Sequence, residues 1–301
     1  MEYGDEMEVS NMGTLRNDNI LTLSDGRQLG YAEYGDPEGH PVFMFHGNPG
    51  SRLSFGLIPG SPFLPGIHIV APDRPGYGLT DFRKNALIHW PDDVAELADH
   101  LGIEKFALFA PSGGGPFALA CAWKIPDRIS TVGIFGSVGP NEPEATKGVI
   151  RSVRLLWKIS NPLFPIIKLQ MRIMAYMAKK DPEKMSLKLR DMELSEWDKK
   201  IFDRPEIRNI FKVDFPEAYR QNGIGSAYDV TIPARWPIPL EEISMKVHVW
   251  HAEPDVLVGN MSKYIAGKLP NSQLYELPDT GHLWILVHMN EVLETLVPDQ
   301  S

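Results

Sequence analysis

The chain has 301 residues, of which 43% are hydrophobic and 23% are charged, and its formal net charge is −9 at pH 7. This is an ordinary globular composition, and the length accommodates one large α/β domain or two domains. The negative charge argues against general nucleic-acid binding, which needs a basic surface to neutralise phosphates. The single cysteine, Cys121, excludes an internal disulfide and fits a reducing compartment.

The N-terminal residues 1–18 are predicted to form a loose, acidic tail. They lack the basic start and apolar stretch of a secretory signal, and the chain has no run of about 18 uncharged apolar residues. We therefore expect a soluble, cytoplasmic protein without an integral membrane span.

The first predicted elements form a β-hairpin, because two alternating stretches, Ile20–Leu23 and Gln28–Tyr34, flank an Asp-Gly turn. Continuous apolar runs follow, and such runs are typical of strands buried on both faces of a parallel sheet. The runs cover residues 41–45, 67–71, 106–110, 131–135, 247–250 and 273–277.

Helical patterns separate these runs, over residues 92–101, 117–123 and 289–296. Alternating strands and helices predict crossover connections and a parallel sheet. Residues 140–242 break the alternation, because they contain helical stretches cut by prolines and no clear buried strand. We interpret them as a helical cap inserted into a core formed by residues 19–139 and 243–301.

This insertion has an unusual charge distribution. Between Lys147 and Arg190 the chain has 11 Lys/Arg and 2 Asp/Glu, together with many aliphatic, aromatic and Met residues. Such a segment is typical either of a membrane-contacting surface or of apolar faces that pack on the parent domain. The prolines break any long amphipathic helix, which favours packing.

The stretch Leu108–Pro116 (LFAPSGGGP) ends a predicted strand with a serine and three glycines. A nucleophilic serine on a sharp strand-to-helix turn needs small residues two positions before and after it, here Ala110 and Gly114. The alternative is a phosphate-binding loop, but that loop would continue with Lys-Ser/Thr, and this one continues with Pro-Phe. The pattern favours Ser112 as a nucleophile.

The loop after the strand at 41–45 (HGNPG) should lie at the same sheet edge as Ser112, since the carboxyl ends of parallel strands share one rim. The backbone N–H groups of Asn48 and Gly113 are the predicted oxyanion donors. The alternative is that this loop is merely a tight turn. The later loop DRPGYG, residues 73–81 with its flank, is interpreted as a turn without a chemical role.

Nine histidines compete for the role of general base. His282 follows the last predicted strand at the same edge, whereas His288 falls in the closing helix. His248 and His251 lie on one strand at a spacing that points them to opposite faces, so a shared metal is not expected there. No Cys/His cluster occurs elsewhere in the sequence, and we expect no metal and no cofactor.

Asp255 is the predicted acid that orients the base, since it lies in a turn at this rim, 27 residues before His282. Glu253 and Glu142 are the alternative acids. The order Ser112, Asp255, His282 favours Asp255, because it follows the arrangement of α/β-hydrolases.

With these residues the chain resembles the serine-hydrolase, esterase-like branch of the α/β-hydrolase superfamily. The matching motifs are FHGNPG, DRPGYG, PSGGGP, WHAEPD and TGH, in the family's order, over roughly residues 19–297. The resemblance implies an eight-stranded, mostly parallel sheet flanked by helices, with a helical cap after strand six. It also implies Ser112 as nucleophile, Asp255 as acid, His282 as base, and Asn48 and Gly113 as oxyanion donors.

The chain departs from the family at Ala110, where a glycine is usual. Haloalkane dehalogenases also contain HGNP, but they and epoxide hydrolases use an aspartate nucleophile, which Ser112 argues against. The resemblance implies a carboxylesterase acting on a small-molecule, ester-like substrate. The alternatives are a lactonase, an amidase or aminopeptidase, a C–C bond hydrolase, or a binding protein without turnover; a homodimer is left open.

Overall fold

The computed structural model describes residues 14–59 and 65–297. These residues form one eight-stranded sheet with the strand order β1-β2-β4-β3-β5-β6-β7-β8. The strands are β1 Thr14–Thr22, β2 Gln28–Gly35, β3 His40–Met44, β4 Ile67–Pro72, β5 Phe106–Pro111, β6 Ile129–Phe135, β7 Val247–Glu253 and β8 Ser272–Pro278.

The two N-terminal strands form the predicted hairpin, and β2 also pairs antiparallel to β4. From β4 across the sheet to β8 all neighbours are parallel, which confirms the mostly parallel sheet. β1 already begins at Thr14, so the predicted tail boundary at residue 18 is wrong. Pairing at the sheet edge uses backbone groups, so a polar stretch without an alternating pattern still extends the strand. Residues 1–13 of the predicted tail lie outside the described residues.

Helices cover both faces of the sheet and form the long connection between β6 and β7. They are α1 Ala86–His100, α2 Gly115–Lys124, α3 Arg151–Ile159, α4 Phe164–Lys180, α5 Pro182–Glu193, α6 Glu196–Phe202, α7 Pro205–Ala218, α8 Ile224–Asp229, α9 Met261–Lys268 and α10 Ile285–Leu296.

One apolar core lies on each face of the sheet. On one face Trp90 of α1, Phe117 of α2 and Ile265 of α9 are buried against the strands. On the other face α10 buries Met289 and Val292 in a second core. Burying large apolar side chains on both faces stabilises the parallel strands and explains their continuous apolar sequences.

Helix α1 begins at Ala86, six residues before the predicted start at Asp92, and contains Pro91 in its interior. A proline removes one helical hydrogen bond and usually ends a helix. Here the first turns continue because Leu87 and Trp90 are buried in the core, and this tertiary packing outweighs the local cost.

Helices α3 to α8 lie between β6 and β7, where the sequence places the insertion. Helix α4 packs against α5, α7 and α8, and α7 also packs against α5 and α6. Several side chains of α6 and α7, including Phe202 and Ile210, belong to the core that also contains α10. The insertion therefore lies on the sheet edge where the strands carrying the predicted site residues end.

Candidate active site

Ser112 lies at a sharp turn between β5, which ends at Pro111, and α2, which begins at Gly115. Its φ of 52° is in the left-handed region, which costs a non-glycine residue about 1–2 kcal/mol. The surrounding contacts hold this conformation; for example, the Val138 N–H donates to the Ser112 carbonyl oxygen at 3.1 Å. Strained backbone of this kind is common at functional sites.

The glycines after Ser112 allow neighbouring loops to approach the turn closely. A Cβ atom at position 114 would lie 2.5 Å from the Phe45 carbonyl oxygen, and one at position 115 would lie 1.9 Å from Ser137 Oγ. Both separations are far below ordinary contact, so no side chain fits there. The loops after β3 and β6 thus require the glycine run. The close approach of α2 to the end of β5 is not its only cause.

His282 lies in the loop between β8 and α10, and its Nδ1 is 2.7 Å from Asp255 Oδ2. The other Asp255 oxygen, Oδ1, accepts hydrogen bonds from the backbone N–H groups of Leu257 at 3.0 Å and Val258 at 3.2 Å. Asp255 is 5% exposed. The carboxylate is therefore held by several contacts and orients the imidazole ring.

The alternative acids do not contact His282. Glu253 is exposed and pairs with Lys263 at 3.1 Å, and Glu142 is exposed on the chain after β6. Of the three acids proposed from the sequence, the structure brings Asp255 to the histidine.

The electrostatic surroundings of His282 favour its protonated form. Burial disfavours the imidazolium, but the charge and the hydrogen bond of Asp255 outweigh burial and raise the pKa of His282 above 6.5. A histidine with this partner is suited to accept a proton and to hold it while positive charge develops on the ring.

Ser112 and His282 line the same cavity. Within residues 14–59 and 65–297, no hydrogen bond joins the Ser112 hydroxyl to the His282 ring. Hydrogen bonds between nucleophile and base are often long in free enzymes and shorten only when the substrate is bound.

Gly136 directly follows β6 and was missed by the sequence analysis. Its φ is 51°, and a Cβ atom there would lie 3.1 Å from His282 Nδ1 and 3.2 Å from Asp255 Oδ2. The backbone of Gly136 therefore lies against the His–Asp pair. A sequence signal existed, because this glycine directly follows a strand at the rim that carries the other site residues.

The two predicted oxyanion donors lie next to each other. A Cβ atom built on Gly113 would lie 3.3 Å from the backbone nitrogen of Asn48. Within the described part of the chain, the Asn48 N–H has no hydrogen-bond partner and is available to a ligand. The Gly113 N–H is at the start of the turn that leads into α2, where backbone N–H groups favour anions.

Arg74 holds the loop that carries Asn48, a role that the sequence analysis missed. Its side chain is buried and donates from Nε to the His46 carbonyl oxygen at 3.0 Å and from Nη2 to the Gly47 carbonyl oxygen at 2.8 Å. A third donation, from Nη1 to Asp229 Oδ2 at 2.7 Å, connects this loop to α8. The DRPGYG loop, interpreted from sequence as a turn, thus also positions the loop that carries Asn48.

His46 also helps to hold this loop, and its imidazole ring is neutral. Burial and the neighbouring charge of Arg74 lower the pKa of His46 well below 6.5. Its Nε2 accepts a hydrogen bond from the Arg74 backbone N–H at 3.0 Å, which a protonated ring could not do.

The cavity above Ser112 has a volume of about 180 Å³. One side is formed by the loop after β3 and the His282 loop, and the other by helices α5, α6 and α7. Its wall is mainly apolar, with contributions from Phe55, Ile58, Leu189, Phe202, Ile210 and Phe211. A small number of polar groups in an apolar cavity is typical of a small-molecule site.

Two further properties bear on the possible ligands. Among the described residues, no group of three or more His, Cys, Asp or Glu side chains is arranged to hold a metal ion. In the same part of the chain, no helix has the length and apolar character needed to cross a membrane.

Known proteins share the fold of this chain. A family model described as α/β hydrolase fold matches residues 40–151. A probable proline iminopeptidase from Streptomyces coelicolor is 32% identical over 143 residues, which are 43% of this chain and 44% of that protein. A 2-hydroxymuconate semialdehyde hydrolase from Pseudomonas putida is 25% identical over 268 residues, 86% of each chain.

The chain spans less than half the length of the first curated relatives it matches, 39% of one and 44% of the other. Among solved structures, a thermophilic esterase from Thermogutta terrifontis superposes with a TM-score of 0.61 at 21% identity, over 92% of this chain and 96% of the esterase. This likeness shows a shared fold. Taken with the family model and the strand order of the sheet, it shows that the chain has the α/β-hydrolase fold.

Proposed function

We propose that this protein is a hydrolase, and specifically a carboxylesterase, that uses Ser112 as nucleophile, His282 as general base and Asp255 as the orienting acid. The observation that carries the proposal is that the left-handed Ser112 lines the same cavity as His282, whose ring is paired with Asp255. Helices α5 to α7, as part of the inserted cap, cover the other side of this cavity.

In the proposed reaction, Ser112 Oγ attacks the ester carbonyl carbon while its proton passes to His282 Nε2. The carbonyl oxygen becomes an oxyanion and accepts hydrogen bonds from the N–H groups of Asn48 and Gly113. Asp255 stabilises the imidazolium, which then donates the proton to the departing alkoxide. Water attacks the acyl-enzyme by the same steps in reverse, which releases the carboxylic acid and restores Ser112.

The cavity supports a substrate with a small apolar acyl group. Its volume of about 180 Å³ compares with roughly 150 Å³ for a protein cavity that binds benzene. A longer acyl chain exceeds this volume, so we expect kcat/KM to fall with increasing chain length.

A second candidate, an aminopeptidase-type amidase, is favoured by Asp214 of α7. This carboxyl lines the cavity, is 4% exposed, and accepts hydrogen bonds from Ser51 Oγ and, at 2.7 Å, from Ser54 Oγ. Within the described residues it has no cationic partner. A buried carboxylate is strongly stabilised by a cation, so a substrate ammonium group would fit beside it.

The primary test replaces Ser112 with alanine and follows hydrolysis of short p-nitrophenyl esters. We expect kcat to fall about 10⁴-fold or more, together with loss of labelling by a fluorophosphonate probe. Ser152→Ala, an exposed serine on α3, is the matched control and should behave like the wild type. Unchanged turnover in Ser112→Ala would refute the proposed nucleophile, and absence of labelling in the folded wild-type protein would favour a binding protein.

A substrate panel separates the ester hypothesis from its alternatives. It compares p-nitrophenyl esters with lactones, C–C bond substrates, and aminoacyl p-nitroanilides with a free or acylated amino group. The carboxylesterase proposal requires the highest kcat/KM with an ester. The second candidate requires preference for the free amine, and a selective loss of that preference in Asp214→Asn.

A further inference from the structure

The surface of α3 and α4 exposes an unusual concentration of large apolar side chains. Among the described residues, ten large hydrophobic side chains are classed as exposed, and seven of them lie within residues 150–176. They are Ile150, Leu155, Ile159, Ile166, Leu169, Ile173 and Tyr176, with exposures from 37% to 64%. We call these residues, with the basic side chains between 147 and 180, the α3–α4 face.

On α4 the exposed apolar residues form one stripe. Ile166, Leu169, Ile173 and Tyr176 follow each other at spacings of three and four residues, which places them on one side of a helix. The other side of α4 is buried, for example at Ile167, where the helix packs on the rest of the insertion. Helix α4 is therefore apolar on two sides, and among residues 14–59 and 65–297 only one of these sides is buried by packing.

The sequence favoured packing of these apolar faces on the parent domain. The structure shows that one part of the apolar side chains is buried and that another part is exposed. Trp157 and Ile167 do pack inward. An exposed apolar stripe such as that of α4 is rare on proteins that act alone in water and marks an interaction site.

The same face is strongly basic. From Ala145 to Lys180 the chain has eight Lys/Arg residues and no Asp or Glu, although the whole chain carries −9. Within the described residues none of these eight cations forms an ion pair, whereas Lys263, elsewhere on the surface, pairs with two glutamates. On α4, Lys168 and Arg172 are exposed and border the apolar stripe.

We propose that the α3–α4 face binds the surface of a bilayer containing anionic phospholipids. Aliphatic side chains on a helix flanked by Lys and Arg match the apolar and anionic layers of such a surface. Pairing with a second copy through the same face would place basic side chains against basic side chains. A nucleic acid would satisfy the cations but would leave the isoleucines and leucines in water.

This binding goes beyond the proposed catalytic function and does not depend on it. Helix α4 packs against α5 and α7, and both of these helices line the cavity above Ser112. A bilayer bound to the α3–α4 face would therefore contact α4, which packs directly on two of the helices that line the cavity.

The test is co-sedimentation of the full chain with vesicles of phosphatidylcholine alone or of phosphatidylcholine and phosphatidylserine in equal parts. We expect binding to the anionic vesicles at low salt, little binding to neutral ones, and release at about 1 M salt, where charges are screened within about 3 Å. Equal binding to both compositions, or no binding to either, would overturn the proposal.

Two double variants separate the contributions. Lys168→Gln with Arg172→Gln should lower the partition coefficient about fivefold for each basic side chain removed. Leu169→Gln with Ile173→Gln should weaken binding to anionic vesicles by the same factor at every salt concentration at which the wild type still binds, because apolar burial is not screened.

The matched control replaces exposed apolar residues outside the face, Ile20→Gln with Val213→Gln, and should bind as the wild type does. Equal loss in the control would overturn the assignment to the α3–α4 face. A monomer–dimer equilibrium that is lost in the face variants would also overturn the proposal, since the face would then join two copies of the chain. The face variants should still hydrolyse a soluble ester, which shows that they are folded. Ser112→Ala should still bind vesicles, because binding does not depend on catalysis. Failure of the membrane-binding proposal can therefore be distinguished from failure of the proposed catalytic function.

Discussion

Replacing Gly136 with alanine tests whether the backbone after β6 holds the His282–Asp255 pair in place. The new Cβ atom would lie 3.1 Å from His282 Nδ1 and Cε1 and 3.2 Å from Asp255 Oδ2. Ordinary contacts at carbon lie at about 3.5–4.0 Å, so the ring and the carboxylate must each move by a few tenths of an ångström.

Two effects follow, and they appear in different measurements. Alanine at φ 51° is strained by about 1–2 kcal/mol, which lowers the free energy of unfolding. The displaced pair is also misaligned with Ser112. Since a misplacement of about 1 Å costs about 10²-fold in rate, we expect kcat to fall about tenfold for this smaller shift, with little change in KM.

Gly102→Ala is the matched control, since Gly102 has φ 68° and a Cβ atom there would meet nothing within 4 Å. It should lose similar stability in urea denaturation but keep the kcat of the wild type with a p-nitrophenyl ester. The reasoning is refuted if Gly136→Ala and Gly102→Ala have the same kcat, because the strain would then be the only effect of either substitution.

The other predictions concern Asp255 and Asp214. Asp255→Asn should lower kcat about 10⁴-fold, because the amide no longer fixes the histidine tautomer. In the wild type kcat/KM should rise with pH and pass an inflection at the pKa of His282, above 6.5. In Asp255→Asn this inflection of the pH–rate profile should move to lower pH. If it does not move, His282 is not the base. Burial raises the pKa of Asp214 from 3.8 to about 7, so between these values the folded protein binds a proton that the unfolded chain has released, and stability falls as pH rises. Asp214→Asn has no titrating carboxyl at this position and so does not lose stability in this way. The difference in free energy of unfolding, Asp214→Asn minus wild type, should therefore increase by about 3 kcal/mol from about pH 5 to about pH 8. Urea denaturation at both pH values measures the difference, and a constant difference would show that Asp214 is ionised in the folded protein throughout.

The strands along the chain and the sharp turn at Ser112 could be predicted from short stretches of sequence. A continuous apolar run indicates a strand that is buried on both faces of the sheet. A serine followed by glycines indicates a turn with no room for side chains. Boundaries were less predictable. The helical pattern over residues 92–101 predicted a later start for α1, and residues 14–18 were assigned to a tail, because neither core packing nor edge pairing is visible in a local pattern.

The partners of Ser112 were predictable only as candidates. Asp255, Glu253 and Glu142 are all acids on loops at one rim, and spacing along the chain does not decide which oxygen reaches His282. That choice depends on the paths of two separate loops, after β7 and β8, and on the backbone N–H groups that hold one Asp255 oxygen.

What the sequence determined by itself was therefore local or periodic: the parallel sheet, the position of the helical insertion, and the chemical types at the rim. The tertiary structure alone decided the roles of Gly136 and Arg74 and the exposure of the apolar stripe on α4. These properties depend on contacts between residues far apart in the chain. In the α4 sequence, the buried side with Ile167 and the exposed side with Ile173 are equally apolar, and only the packing of the surrounding helices distinguishes them.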